Sequence, residues 1–471
     1  MERSIATTTD DAVRAPSGGQ PLLSRLSSAL EWLDLLHIGM LFFFLALAVY
    51  FLSNPERRNF YNHFVWQAEA FLDGRVAIRF PVSEGAHVNH YLQDVMPLPD
   101  RPGFGLIPFP PLPALLLTPL VAIFGLAADA ALVAAVLGAI HVGLAWRMVA
   151  RLTANRPAAA LATLFFAFGT VHWYAAMLGS TWFLAHVVSV TFLLLAITLA
   201  IDGQRRQDDA QGAASAGRTT RGRLARLRGQ IEPLQFLAGL VFGLAALARL
   251  TVIFGAPFFA FVGAGGSFWR RAFWAGLGAA LPMVGLLVYN FAATGHLFHP
   301  AYEWLYQREY LGYLPEWLAI DRSWLIQDPR YIPMNALIML GWPPEVRPEC
   351  GPALFDRECP LLRPDQIGMS LLLTSPAYLL ALPVLRNAWR RPLVQGAALA
   401  VAAIAVINLM HFSQGWVQFG YRFSTDFAPF ALVLVTLGIA GLGVRKLTVG
   451  LVAASIAINA WGVYWGVALG W

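Results

Sequence analysis

The chain alternates long apolar runs with short polar ones, and many of the apolar runs have the length of a membrane-crossing helix. Apolar blocks fall at 34–52, 130–149, 158–178, 183–201, 235–248, 250–266, 273–291, 369–385, 394–412, 427–443 and 448–466. A helix that crosses a bilayer needs about 20 such residues. The two-residue alternation of barrel strands is absent, so helices are the way backbone groups are satisfied in lipid. The pattern predicts an all-α polytopic membrane protein, a transmembrane bundle of about 11 spans.

Two blocks need separate treatment. Residues 104–128 are apolar and uncharged over 25 positions, but they contain Pro108, Pro110, Pro111, Pro113 and Pro119. Proline inside a helix removes a hydrogen bond and clashes with the preceding turn. This block is expected to lie in or dip into the outer interface without crossing. Residues 235–266 are interrupted only by Arg249. As one helix they would measure about 48 Å, too long for a hydrocarbon core of about 30 Å. Two segments turning outside near Arg249 are expected, although 235–248 is short for a span.

Charge then orients the chain. The formal net charge is +6, and the basic residues sit between apolar blocks. With a cytoplasmic N-terminus and a non-crossing 104–128, every basic cluster falls inside: Arg147, Arg151 and Arg156; the seven arginines of 202–234; Arg270 and Arg271; Arg386, Arg390 and Arg391; Arg445 and Lys446. That is the distribution positive-inside topology requires. Residues 1–33 then form a cytoplasmic tail without a cleavable signal, and 34–471 one transmembrane domain in a cell (inner) membrane. Extracytoplasmic loops are expected at 53–129, 292–368 and 413–426, and a flexible cytoplasmic tether at 202–234.

Composition excludes the soluble classes. Hydrophobic residues make up 58% of the 471 positions and charged residues 13%, against about a quarter charged in an ordinary soluble domain. No nucleic-acid motif, phosphate-binding loop or dinucleotide fingerprint is present, and the histidines lack the helical pairing of a zinc signature. The two cysteines, Cys350 and Cys359, share one polar stretch, CGPALFDREC. Outside the cytoplasm such a pair is read as a disulfide.

Ionisable residues outside the basic clusters and the 202–234 loop gather in the outer loops. The first holds Glu56, Glu69, Asp73, Glu84, Asp94 and Asp100, with His63, His87, His90, Asn59, Asn62, Asn89, Tyr61 and Tyr91. A carboxylate here can serve as general base toward a hydroxyl, and it can equally be a solvated loop acid. Trp173, Tyr174 and Trp182, with His172 and His186, read first as an interfacial aromatic belt and second as a surface on which a carrier or sugar stacks. The second outer loop is rich in aromatics, from Tyr302 to Trp342. They suit either sugar stacking or the core of a compact cap.

Four stretches carry a resemblance. They are NFYNHFVWQAEAFLDGRVAI (59–78), FPPLPALLLTPLVAIFG (109–125), GLAALARLTVIFGAPFF (243–259) and GWVQFGYRFSTDFAPFALVL (415–434). In this order, and on this topology, the chain resembles the GT-C superfamily of membrane glycosyltransferases, such as protein O-mannosyltransferases and the lipid A aminoarabinose transferase. The resemblance implies a GT-C-like bundle whose extracytoplasmic loops carry juxtamembrane helices. It also implies an inverting transfer of a sugar from a polyprenyl-phosphate carrier to a glycan, lipid or protein acceptor. In that family an aspartate early in the first outer loop acts as base. Here Asn59 and Asn62 stand in that region, and Asp94 is the best substitute, with Glu69 and Asp73 as rivals. Arg422 and Arg249 are the phosphate-binding candidates, Arg249 equally fitting an arginine that snorkels to the interface; Asp426, four residues after Arg422, is either its i, i+4 partner or an exposed acid. His90, Asn62 and Tyr61 complete the expected substrate-binding set. No cofactor is firmly implied; a divalent cation on Asp94 and a neighbour stays open. A lipid or sugar transporter and a non-catalytic GT-C-like scaffold are the competing readings.

Overall fold

The computed structural model describes residues 22–57, 61–80, 94–215, 231–309 and 324–471. The N-terminal helix α1 (Leu22–Ser53) is followed by the short α2 (His63–Leu72). Three short strands come next: β1 (Ile78–Arg79), β2 (Met96–Pro97) and β3 (Phe104–Leu106). They pair antiparallel in the order β1-β3-β2, with Ile78 opposite Gly105 and Met96 opposite Leu106. A β-carbon on Gly105 would lie 2.5 Å from the Val95 side chain. This close approach presses the chain next to Asp94 against the sheet.

The Pro-rich block forms α3 (Leu112–Phe124), 13 residues with Pro119 inside. At about 20 Å it is too short to span. It packs on α2, where Phe64, Leu112 and Leu117 share one buried cluster. Four helices follow: α4 (Ala130–Leu152), capped by Asp129, which accepts from Leu132 N at 2.9 Å; α5 (Arg156–Phe168); α6 (His172–Leu178); and α7 (Thr181–Ser215). The α5 and α6 axes bend by 50°.

The segment around Arg249 is a hairpin. It rises as α8 (Pro233–Ala246), passes Arg249 in extended conformation, and returns through a 3-10 turn, Leu250–Gly255, and α9 (Pro257–Phe261). Gln235, at the base of α8, donates to Phe259 O at 2.6 Å and to Val262 O at 3.3 Å. Arg249 is thus held at the tip, the turn expected from the sequence.

After α10 (Phe268–Thr294) come α11 (Ala301–Glu309), α12 (Ile332–Gly341) and a hairpin of β4 (Glu345–Val346) and β5 (Leu362–Arg363). A Cys350–Cys359 disulfide closes the loop between these strands. Tyr306 and Tyr331 are buried with Trp324, Ile326 and Phe412 in a small aromatic core; Tyr310, Tyr313 and Trp317 lie outside the described residues. The chain ends with α13 (Leu371–Thr374), a 3-10 turn at Pro376–Ala381, α14 (Leu382–Asn387), α15 (Pro392–Leu409), a 3-10 turn at Arg422–Asp426, α16 (Ala428–Leu442) and α17 (Lys446–Ala468).

Among the described residues, six helices are long and apolar enough to cross a membrane: α1 from Leu35, α4, α7, α10, α15 and α17, with the bent α5–α6 pair as a seventh. The remaining expected spans are shorter pieces. Residues 235–248 and 250–266 are the two arms of the Arg249 hairpin, 369–385 breaks into three short turns, and α16 has 15 residues. An apolar run does not distinguish contact with lipid from contact with protein. In α16, 11 of those residues are buried within the bundle, so its hydrophobicity reflects protein packing.

The aromatic belt expectation is corrected. Tyr174, His172 and His186 are buried inside the bundle, and the Trp173 indole donates to Ser53 Oγ at 3.0 Å. The turn joining α5 to α7 is roofed by the 415–421 segment: Phe419 packs against Tyr174, their ring centroids 6.0 Å apart.

Candidate functional site

The centre of the site is Asp426, with no exposed side-chain surface. Its Oδ1 accepts from His186 Nδ1 at 2.7 Å and from Arg249 Nε at 3.3 Å. Its Oδ2 accepts from Arg249 Nη2 at 3.0 Å, Thr251 Oγ1 at 2.8 Å and Asn408 Nδ2 at 3.3 Å. Four segments therefore converge on one carboxylate: α7, the Arg249 hairpin, the end of α15 and the 3-10 turn before α16. A buried carboxylate is tolerated where it is paired and its lone pairs are filled, and both conditions hold. An ionised carboxylate only accepts, so His186 Nδ1 carries the proton of that bond. His186 Nε2 is buried without a hydrogen-bond partner among the described residues.

The i, i+4 pairing of Arg422 with Asp426 does not form. Residues 422–426 make a 3-10 turn, with three residues per turn, so positions four apart face different ways. Asp426 bonds Arg249 instead, and Arg422 is left differently placed. Arg422 is 8% exposed, and among the described residues its Nε has no partner and no hydrogen bond or ion pair engages its guanidinium. Its neighbours are rings: the guanidinium carbon lies 5.2 Å from the Phe423 centroid and 5.7 Å from that of Phe183. Arg249 lies 5.3 Å from the same Phe423 ring. Two guanidinium groups thus share one ring, and one carboxylate directly neutralises only Arg249.

Asp94 approaches from the first outer loop. Its carboxylate accepts from the Trp182 indole N–H in the first turn of α7. Arg422 lies in the electrostatic field of Asp94 and of Asp426, and Tyr302 of α11 in that of Asp94 and Arg249. Trp182 also packs edge-on against Tyr61 at 4.8 Å, and Tyr61 stacks on His63 at 6.3 Å. Thr181 Oγ1 donates to Tyr61 O at 2.8 Å, so this end of α7 also anchors the chain ahead of α2. Among the described residues, neither the amide nitrogen nor the oxygen of Asn62, 3% exposed, has a hydrogen-bond partner.

The structure therefore brings Asp94, Arg249, Arg422, Asp426 and Tyr61 into one region, with Asn62 adjoining it. Asp73 is engaged elsewhere: it caps α2 and pairs with Arg75, which holds its carboxyl below the usual range. Glu69 sits half-buried on α2, and His90 lies outside the described residues. His186, Thr251, Asn408, Phe183 and Phe423 belong to the site and were not singled out from sequence as its members. His186 and Asn408 fall within apolar runs, and a polar residue at membrane depth is itself a functional signal. Among the described residues no three histidine, cysteine, aspartate or glutamate side chains gather as a metal site.

No family model matches the sequence, and no curated protein matches it. Among solved structures, the crystal structure of the Archaeoglobus fulgidus oligosaccharyltransferase in the apo form is similar, with a TM-score of 0.48 and 13% identity. The alignment covers 92% of this chain and 56% of that one, so the chain spans little more than half the length of that protein. At that identity and TM-score the likeness assigns neither activity nor substrate to this chain.

Proposed function

We propose that the chain is an inverting GT-C-type glycosyltransferase that moves a sugar from a polyprenyl-phosphate carrier to an acceptor on the outer face of a cell membrane. The observation that carries this reading is the buried Arg422 guanidinium, without a hydrogen-bond or ion-pair partner among the described residues, in the field of a carboxylate from another segment. An unpaired buried cation calls for an anion, and a planar guanidinium suits a phosphate oxygen pair. The rings of Phe183 and Phe423 offer the apolar surface that the carrier's first isoprene needs. Three of the four sequence stretches of GT-C resemblance supply this region: Arg249 stands on one, Arg422 and Asp426 on another, and Tyr61 and Asn62 on a third.

In this mechanism Asp94 takes the acceptor hydroxyl proton as the oxygen attacks the anomeric carbon. The bond from that carbon to the phosphate oxygen breaks on the opposite face, and the phosphate leaves with the electron pair. Arg422 meets the charge gained by the leaving phosphate. Arg249, fixed by Asp426, adds positive potential behind it without being free to leave. The reading assigns no cofactor. Its topology has a cytoplasmic N-terminus and 11 membrane segments, five of them made by the short or broken elements described above.

The test is transfer by the purified full chain supplied with polyprenyl-phosphate sugars. Asp94→Asn is expected to lower turnover by about 100-fold or more, the usual contribution of a positioned base. Arg422→Ala is expected to lower carrier binding as well as turnover. Full activity in Asp94→Asn removes Asp94 as base. Absence of transfer with every carrier tried, together with movement of labelled carrier across vesicles, replaces the transferase reading with transport.

A further inference from the structure

The end of the bundle opposite Asp94 holds a cavity that the transfer site does not use. The helix α7 runs from Trp182, beside Asp94, to Arg205, about 35 Å further on at 1.5 Å per residue. The helix α15 runs the other way, from Leu393 at the cavity to Asn408 at Asp426. Between these far ends lies a cavity of about 350 Å³.

Its lining has two parts. Leu152, Ile201, Phe261 and Leu393 make an apolar floor. Arg151, Arg205, Arg271 and Arg391, from four different segments, make the rim, and Asp208 is the one acid among the lining residues. Two of the arginines are fixed in place. Arg151 is bonded to Asp202 and donates to Arg147 O at 3.0 Å. Arg271 donates to Ala260 O at 3.0 Å and to Gln204 Oε1 at 3.3 Å. The other two, Arg205 and Arg391, are exposed and form no ion pair among the described residues. The positive charge of the rim therefore exceeds the negative charge facing it.

We propose that this cavity binds the phosphodiester headgroup of an anionic glycerophospholipid from the adjoining leaflet, with the start of an acyl chain on the apolar floor. Guanidinium groups pair with phosphate oxygens two at a time, and basic pockets between membrane helices hold anionic headgroups by this chemistry. The volume lies in the range of small-molecule sites. A soluble anion would engage the rim but leave the floor wet, whereas a phospholipid satisfies both. Its occupancy would tie α4, α7, α10 and α15 together at the end remote from the transfer site, and it does not depend on the transferase reading.

The test uses the full chain in neutral detergent, with native mass spectrometry and thermal unfolding. Phosphatidylglycerol, phosphatidylcholine and inorganic phosphate are the three probes. One phosphatidylglycerol per chain is expected to be retained at about tenfold lower concentration than phosphatidylcholine, with a higher Tm. The Arg205→Gln/Arg391→Gln variant is expected to lose that preference while its Tm in phosphatidylcholine stays unchanged, because neither side chain holds the fold. A photoactivatable phosphatidylglycerol should crosslink in the wild-type chain to peptides containing Leu152, Phe261 or Leu393, which keeps the test open if the variant fails to fold. Equal retention of the two lipids, retention unchanged in the variant, or crosslinks confined to other peptides overturns the proposal. So does displacement of phosphatidylglycerol by millimolar phosphate alone, which would mark a soluble-anion site.

Discussion

The indole N–H of Trp182 donates to the carboxylate of Asp94, tying the first turn of α7 to the residue two positions ahead of β2. Asp94 has a φ of 51°, a left-handed conformation uncommon outside glycine but among those aspartate tolerates best. Such a position persists where its surroundings over-determine it. Here Val95 is clamped against Gly105 on one side, and Trp182 holds the carboxylate on the other. The bond also orients the oxygen that would take a proton. Trp182→Phe keeps most of the ring and removes the donor. It is expected to lower kcat about tenfold, a loss of roughly 1.4 kcal/mol, with the carrier KM and Tm near wild type. Steady-state kinetics with a thermal melt checks this; an unchanged kcat would show that Asp94 needs no such support.

Gly415 sets the place of Arg422. It has a φ of +88°, and a β-carbon there would lie 2.5 Å from the Arg422 guanidinium carbon. Gly415→Ala should therefore push the guanidinium off Phe183 and Phe423. The expected result is a rise of about tenfold in carrier KM, the scale of one displaced charged hydrogen-bonding group. Gly441→Ala in α16, where no neighbouring atom lies within 4 Å of the added carbon, is the matched control and should leave KM unchanged.

The long helices were legible because a run of about 20 apolar residues is a one-dimensional property. All six that qualify coincide with blocks read from the sequence. The hairpin around Arg249 was legible for a related reason: one charge splits a run too long for a single helix. Segments such as 369–385 and α16 show that the sequence does not foretell a short or broken element, because burial against protein and burial in lipid select the same residues. The partners of Asp426 lay beyond reach, since His186 and Arg249 are 240 and 177 positions away in sequence. The local pairing with Arg422 assumed an α-helical turn where the chain makes a 3-10 one. The short β1-β3-β2 sheet was missed as well. Strands of two or three residues leave no measurable alternation, yet this sheet places Asp94.

The β4–β5 hairpin should be acid-labile. Burial pushes the Glu345 carboxyl up, but hydrogen bonds from Arg347 at 2.8 Å and Arg363 at 2.6 Å outweigh it and hold the group below the usual glutamate range. A folded pKa lower than the unfolded one contributes stability above the unfolded value and loses it as pH falls through the folded one. The loss therefore begins near about pH 4, where free glutamate titrates, and is complete only below the depressed value. Protection factors at the Arg347 amide, which donates to Leu361 O at 2.8 Å, are expected to fall over that window. In Glu345→Gln they should be lower at neutral pH and nearly flat with acid. Hydrogen exchange corrected for intrinsic rates reads both outcomes; the disulfide should keep the loop closed throughout.

Asp426 should be the costliest acid to remove. It accepts five hydrogen bonds from four side chains, and its absence leaves the Arg249 charge, only 18% exposed, without a counter-ion. Breaking one side of a buried ion pair costs about 3–5 kcal/mol, more than the pair itself is worth. Asp426→Ala is therefore expected to lower stability in detergent by that amount. Arg249→Ala should cost less, because Asp426 would retain His186, Thr251 and Asn408 as donors. The double variant discriminates between a pair and two independent contacts. If the cost is mainly an orphaned charge, removing both groups should destabilise by less than the sum of the single changes, with a coupling energy of roughly 1–3 kcal/mol. Thermal or denaturant unfolding of the four proteins under one detergent condition measures it. Strict additivity would mean that Arg249 finds another anion once Asp426 is gone.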